Sequence, residues 1–172
     1  MLRSTGVPYD LRKHQPYEIY EDVMFNVPST VNGDSYARYV IRVQEMRESL
    51  RIIEQCVRGL PEGDTLYPNF KVVPPTRRLL KSSMENLINH FKLYSEGFTV
   101  PKSSTYTAIE SSKGELGVFV VGDGTNRPFR AKVKSPGFNH LQALDLLAKH
   151  HLLADVVTLI GSIDIVFGEV DR

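Results

Sequence analysis

The stretch DSYARYVIRVQEMRESLRIIEQCVRGL, residues 34–60, decides the fold. Tyr36, Tyr39, Val40, Val43, Met46, Leu50, Ile53 and Val57 recur at the three-and-four spacing of one helical face. Asn32-Gly33-Asp34 offers a turn and an N-cap in front, and Gly59-Leu60-Pro61 a stop behind. The pattern predicts one long amphipathic helix with that stripe buried. Its other face carries Arg38, Arg42, Glu45, Arg47, Glu48, Arg51 and Glu54. There Arg38/Arg42 and Arg47/Arg51 repel at four-residue spacing while glutamates neighbour the arginines. That face is expected to be solvated, the functional alternative being a docking face for another subunit.

Upstream, Pro8, Pro16 and Pro28 each block helix at their own position, so residues 1–33 read as an irregular segment with little core of its own. Such an opening needs something to lie against, and a missing N-terminal half is the expected partner. Residues 34–172 form the remaining domain. A proline-rich connector over 61–75 leads to Ser82-Ser83-Met84-Glu85, where Ser82 and Glu85 match a capping box. The helix it opens has Met84, Leu87, Ile88, Phe91 and Tyr94 as its expected buried stripe and Gly97 as its stop. Three short runs rich in β-branched and aromatic residues follow, over 105–110, 115–121 and 129–134. Ser112-Lys113-Gly114 and Gly122-Asp123-Gly124-Thr125-Asn126 join them as turns, which predicts a small antiparallel meander. After Pro136-Gly137 the run Leu141, Leu144, Leu147, Ala148 has helical period, Leu152 to Ile160 reads as a buried apolar helix, and the tail from Asp164 as extended chain. The fold class is α+β: long amphipathic helices plus a small antiparallel meander.

Composition narrows the function. The chain has 172 residues, with 21 Lys and Arg against 20 Asp and Glu; a formal charge of +1 gives no reason to expect nucleic acid as partner. The single cysteine, Cys56, excludes an internal disulfide and any cysteine-based metal site needing two ligands from this chain. Iron–sulfur ligation by this chain's own side chains is excluded with it. No apolar run reaches the roughly 20 residues of a membrane span. Met1 to Gly6 has no apolar core or amphipathic presequence, so a targeting signal is expected outside this chain or removed from it. His14, His90, His140, His150 and His151 follow no metal-binding spacing and read as surface or core histidines. Gly122-x-Gly124 joins two strands and lacks a following helix, so it reads as a turn and not as a phosphate loop. No GxSxG elbow occurs, and Cys56 is expected to be a structural thiol. No catalytic constellation is complete within the chain.

The C-terminus is the informative segment. Asp164-Ile165-Val166-Phe167-Gly168-Glu169-Val170-Asp171-Arg172 sets three carboxylates and an arginine around apolar residues, which a freely solvated tail does not need. Such a tail is expected inside an assembly, or in a pocket whose ligand is apolar.

At these residues the sequence resembles the quinone-site, or 49 kDa, subunit of respiratory complex I, NADH:ubiquinone oxidoreductase, a family derived from the large subunit of nickel–iron hydrogenases. The likeness runs through Tyr9-Asp10-Leu11-Arg12-Lys13, Glu45-Met46-Arg47, Ser49-Leu50-Arg51-Ile52-Ile53 and His90-Phe91-Lys92-Leu93-Tyr94. It continues in Thr105 to Glu110, Arg127-Pro128, Pro136-Gly137-Phe138, Leu153-Ala154-Asp155-Val156-Val157 and Ile163 to Arg172. It implies the C-terminal part of a hydrogenase large-subunit-like fold. The hydrogenases end in D-P-C-x-x-C-x-x-H, whose cysteines hold the nickel–iron centre. Here Asp164 keeps the Asp, Ile165 replaces the Pro, Val166 and Glu169 stand at the cysteine positions, and Arg172 replaces the His. Without the soft thiolates, hydrogenase activity is excluded.

The resemblance implies that Asp164, Val166 and Phe167 line or support the cavity where ubiquinone is reduced, and that Arg172 sits near the terminal iron–sulfur cluster of a neighbouring subunit. The alternatives are a buried Asp164–Arg172 ion pair that holds the tail, and Val166 as plain core. Ubiquinone is then a substrate, while NADH and the clusters belong to neighbouring subunits. The expected partners are a separately supplied N-terminal half, since family members are longer, and other peripheral-arm subunits. The expected place is the matrix side of the mitochondrial inner membrane, or the cytoplasmic side of a bacterial one. The rival function is a scaffold or assembly module derived from the same family.

Overall fold

A computed structural model describes residues 1–171. Its elements in chain order are α1 (Leu11–His14), α2 (Ser35–Arg58), α3 (Arg77–Ser82), α4 (Met84–Ser95), β1 (Ser103–Ser111), β2 (Gly114–Gly122) and β3 (Pro128–Lys134). After them come α5 (Pro136–Gln142), α6 (Leu144–Ala148), α7 (Leu153–Ile163) and α8 (Phe167–Asp171). Short 3-10 turns occupy Leu2–Thr5 and Glu18–Glu21. The expected meander is present as a three-stranded sheet in the order β1-β2-β3, so the chain is α+β. The chain divides into two compact units. The first holds Met1–Leu60, Thr107–Val118 and the chain from Val133 onward, and the second Pro61–Tyr106 and Phe119–Lys132.

In the first unit, α2 has the ends that its sequence predicts. The Asp34 carboxylate accepts the Ala37 N–H at 2.7 Å, and Gly59 N–H closes the last turn on the Gln55 carbonyl at 2.9 Å. The expected burial of its apolar stripe is not found. The helix packs through Ala37, Arg38, Ile41 and Ile52, while Tyr36, Tyr39, Met46, Leu50, Ile53 and Val57 stand exposed. At 3.6 residues per turn, Tyr39, Met46, Leu50, Ile53 and Val57 fall on the side opposite Ala37, Ile41 and Ile52. The helix is therefore apolar on two opposed sides, and the described residues of its own unit cover one of them. Arg38, expected in solvent, is only 6% exposed.

The opening segment supplies core despite its irregular path. Val23 and Phe25 pack with Ile52 of α2, with Tyr20, Val27 and the half-buried Cys56 against them. Leu11 is buried as well, and the neighbouring Arg12 guanidinium lies 4.7 Å from the Phe25 ring centroid. At the other end of the unit, α7 ends where Asp164 takes the left-handed conformation, φ 57° and ψ 54°. Leu152, Leu153 and Val157, expected inside, are exposed, and α7 buries Leu159, Ser162 and Ile163 instead. Nor is the tail extended: after the Asp164 break it turns helical as α8. Ser135 Oγ donates to the Glu169 carbonyl at 2.8 Å and fixes α8 beside the start of α5.

In the second unit, the predicted capping box fails by one residue. Ser82 is the last residue of α3 and donates to the Arg78 carbonyl at 3.0 Å, while Ser83 starts α4 and accepts the Asn86 N–H at 3.4 Å. Gly97, at φ 79°, sends its N–H back to the Lys92 carbonyl at 2.9 Å, the stop that the sequence predicts. The α4 stripe is another correction: Met84, Leu87, Ile88, Phe91 and Tyr94 are all exposed. Between β2 and β3 the Asp123 carboxylate accepts the Thr125 N–H and hydroxyl, with Gly124 at φ 97°, so Gly122-x-Gly124 is a turn.

Candidate functional site

The first unit holds an open-sided cavity of about 350 Å³. Leu2, Arg3 and Tyr9 from the opening segment, Arg38, Ile41, Arg42 and Glu45 from α2, and Glu110 from β1 line one part of it. Lys113 in the β1–β2 turn, Pro136, Asn139 and His140 from α5, and Ile163 and Asp164 at the end of α7 line the rest. Apolar wall and convergent charge together make it the ligand-sized feature of this unit.

Its charged wall is organised by Arg3. The guanidinium donates to Glu45, to Glu110 Oε1 at 2.6 Å and to the Tyr9 carbonyl at 2.9 Å, and lies 3.4 Å from Asp10 Oδ2. Glu110 also accepts the Leu11 N–H at 3.1 Å. Asp10, 1% exposed, is held by both guanidinium arms of Arg12 at 3.0 and 2.7 Å and accepts the Arg12 backbone N–H as the cap of α1. Burial alone would raise the Asp10 carboxyl, but the hydrogen bonds and charge of Arg12, helped by Arg3, hold it below its usual value.

The pH consequence follows in sign. A carboxyl lowered in the folded state contributes stability above its unfolded pKa and loses it as pH falls through the folded value. Asp10→Asn should therefore cost about 2 kcal/mol near neutral pH, through a lost charge-assisted pair and a weaker cap. The gap between parent and variant should close as pH falls through and below the ordinary carboxylate range. Circular dichroism melts at stepped pH read it directly, and a gap that widens in acid would refute the assignment.

A second node lies on α2. Arg38 donates to the Gly33 carbonyl at 2.7 Å, to Ser35 Oγ at 3.0 Å, and to Ser162 Oγ at 3.2 and 3.0 Å. Ser162 Oγ donates onward to the Leu159 carbonyl at 2.8 Å, and Arg42 donates to the Ser162 carbonyl. Neutral oxygens thus satisfy the buried Arg38 cation and tie α2 to the end of α7, one residue from Ile163 and two from Asp164.

Of the residues singled out in the sequence, Asp164 is the one that lines this cavity. Val166 and Phe167 lie on the tail beyond it, 45% and 59% exposed, and are not part of its wall. Arg172 lies outside the described residues. Sequence reasoning missed Arg3, Arg38, Glu110, Lys113 and His140. Arg3 and Glu110 are 107 positions apart and share no local pattern. Arg38 did carry a signal, because it repels Arg42 at four-residue spacing unless one of them turns inward to other partners. Cys56, the only cysteine of the sequence, sits on α2 against Val23 and Phe25.

A cavity joining charged groups to an apolar wall, in a chain with large uncovered apolar faces, fits a ligand-binding domain. Comparison makes the class specific. Residues 1–172 match the family described as "Respiratory-chain NADH dehydrogenase, 49 Kd subunit". The chain is 56% identical over all its length to an NADH-quinone oxidoreductase subunit of Ehrlichia canis (strain Jake) and covers 44% of that relative. It is 58% identical to the protein of the same name in Anaplasma marginale (strain St. Maries), covering 43% of it. It is likewise 58% identical to "NADH dehydrogenase (ubiquinone) iron-sulfur protein 2" of Arabidopsis thaliana, covering 44%. The chain belongs to the 49 kDa subunit family of respiratory-chain NADH dehydrogenase. It spans less than half the length of the curated relatives it matches.

Proposed function

We propose that this chain supplies part of the wall of the quinone-reduction cavity in an NADH:ubiquinone oxidoreductase, and so supports electron transfer coupled to proton translocation. The observation that carries the reading is Asp164. The residue that ends α7 in a left-handed turn lines a cavity walled by Ile41 and Ile163. An apolar wall suits a quinone ring, and a carboxylate at its edge can orient proton-donating groups. Val166 and Phe167, exposed on the tail, extend that wall once further polypeptide closes over them. Arg172 takes the position of the hydrogenase histidine in the tail motif. We place it beside the terminal iron–sulfur cluster of a neighbouring subunit, where its charge favours the reduced cluster. The α+β frame is on this reading the C-terminal part of a hydrogenase large-subunit-like fold, with residues 1–33 lying against the N-terminal half.

The uncovered faces of α2 and α4 support an assembled state. The part of the relatives that this chain does not match, whether on the same polypeptide or a separate one, and other peripheral-arm subunits are the partners proposed for them. Among the described residues no helix is long and apolar enough to cross a membrane. The complex would present this subunit on the matrix side of the mitochondrial inner membrane or the cytoplasmic side of a bacterial one.

Asp164→Asn tests the cavity role, because asparagine also tolerates the left-handed conformation and leaves the turn intact. Quinone reduction by the assembled complex should fall roughly tenfold, the worth of one charge-assisted hydrogen bond, with assembly preserved. Normal turnover would sink the cavity role. Native mass spectrometry of the assembly that co-purifies with the chain separates this reading from a scaffold, for which complex I partners would be missing.

A further inference from the structure

Three polar atoms of the first unit are buried with no hydrogen-bond partner among the described residues: Lys113 Nζ, His140 Nδ1 and Glu169 Oε2. They belong to one neighbourhood. Lys113 and His140 both line the cavity, and Glu169, outside its lining, meets it through Lys113. Lys113 Nζ is 4.0 Å from Glu169 Oε1, and the Lys113 side chain is only 9% exposed. Glu169 packs against Gly137 so closely that a Cβ there would meet Oε2 at 3.0 Å. His140, three residues along α5, feels the Glu169 charge; burial nonetheless lowers its pKa, with Arg42 adding to the effect, so it stands neutral near pH 7.

Buried polar groups are rarely left unpaired, and each orphan costs free energy that a bound group can recover. Lys113 Nζ and Glu169 Oε1 are too far apart at 4.0 Å for a direct hydrogen bond, and an oxygen beside the line between them, about 2.8 Å from each, would bridge the pair. That oxygen must accept from Lys113, which has only donors, and donate to Glu169, which as a carboxylate has only acceptor sites. A carbonyl oxygen meets the first demand and fails the second, whereas a hydroxyl meets both.

We propose that Lys113, Glu169 and His140 form a donor–acceptor subsite for a hydroxyl group, filled by ordered water in the resting cavity and by a hydroxyl of the quinol product after reduction. The proposal rests on the quinone-cavity reading and deepens it: the same cavity holds the reduced ligand differently from the oxidised one. Lys113 donates to an oxygen of either form. Glu169 accepts only from the quinol and faces the lone pairs of a quinone carbonyl unfavourably, so it sets the discrimination. His140 supplies the third polar contact that a trapped hydroxyl or water needs.

The test uses the assembled complex, with a short-chain benzoquinone as substrate and the matching benzoquinol as product inhibitor. Glu169→Gln should raise the ratio of the quinol inhibition constant to the quinone KM about tenfold, the worth of one charge-assisted hydrogen bond. Lys113→Met should raise both constants together and leave their ratio near the parent's. If Glu169→Gln does not assemble, Glu169→Asp, which withdraws the carboxylate by one methylene, is read by the same ratio. A ratio that stays at the parent value in the Glu169 variant overturns the quinol subsite and leaves water as its only occupant. Failure of the unsubstituted complex to reduce the quinone would instead overturn the reading beneath it.

Discussion

Arg3→Met should destabilise the first unit by about 3–5 kcal/mol, the range for breaking a buried ion pair by removal of one partner. Arg3 serves three carboxylates at once, and two of them, Asp10 and Glu110, have side chains only 2% and 5% exposed. Asp10 retains Arg12, but among the described residues Glu110 keeps only the Leu11 N–H. The loss therefore falls chiefly on Glu110, whose desolvation is no longer offset. Arg3→Lys should recover part of the loss, since an ammonium keeps the charge but cannot reproduce the guanidinium fork that reaches Glu45, Glu110 and the Tyr9 carbonyl together. The measurement is urea unfolding followed by circular dichroism, because the chain has no tryptophan to report by fluorescence. Equal midpoints for parent and Arg3→Met would mean that the network is a surface decoration.

Ile163→Ala should cost about 3 kcal/mol and Ile163→Val about 1 kcal/mol, the usual spread for truncating a buried aliphatic chain. Ile163 is 1% exposed, sits between the Ser162 node and the Asp164 turn, and forms wall of the cavity. The atoms removed leave space that neighbours already bounding a cavity cannot refill, so relaxation should recover little of the loss. On the proposed quinone-cavity reading, the enlarged cavity should also raise the quinone KM of the assembled complex, which is measured separately from stability. A variant that unfolds at the parent's urea midpoint would contradict the packing described here.

Local signals were legible wherever the chain closes a short loop on itself. Asp34 and Gly59 bound α2, Gly97 ends α4, and the Asp123–Thr125 turn joins two strands, as their residues indicate, because each contact spans a few positions. Periodicity located the helices of α2, α4 and α7 and misjudged their faces, because it reports which residues share a side and not what covers that side. The Ser82 capping box was off by one since Ser82 and Ser83 compete for the same role, and only the path from α3 chooses between them. The tail stood out in the sequence by its concentration of charge around apolar residues, whereas the cavity role expected of Asp164 came only from the family resemblance. Its left-handed turn and α8 were not legible, because Ile165, Val166 and Phe167 favour extended chain and the helix depends on Ser135 holding the Glu169 carbonyl. The Arg3–Glu110 pairing and the Lys113–Glu169–His140 group join residues far apart in sequence, and no composition or spacing rule reaches them.

The two-sided apolar character of α2 bears on how such a protein is produced in a cell. A helix with Tyr39, Met46, Leu50, Ile53 and Val57 uncovered is a substrate for chaperones and proteases until a second surface arrives. Copies made in excess of that surface should be degraded rather than stored. If the covering surface proposed above belongs to another polypeptide, its supply should set the steady-state amount of the chain.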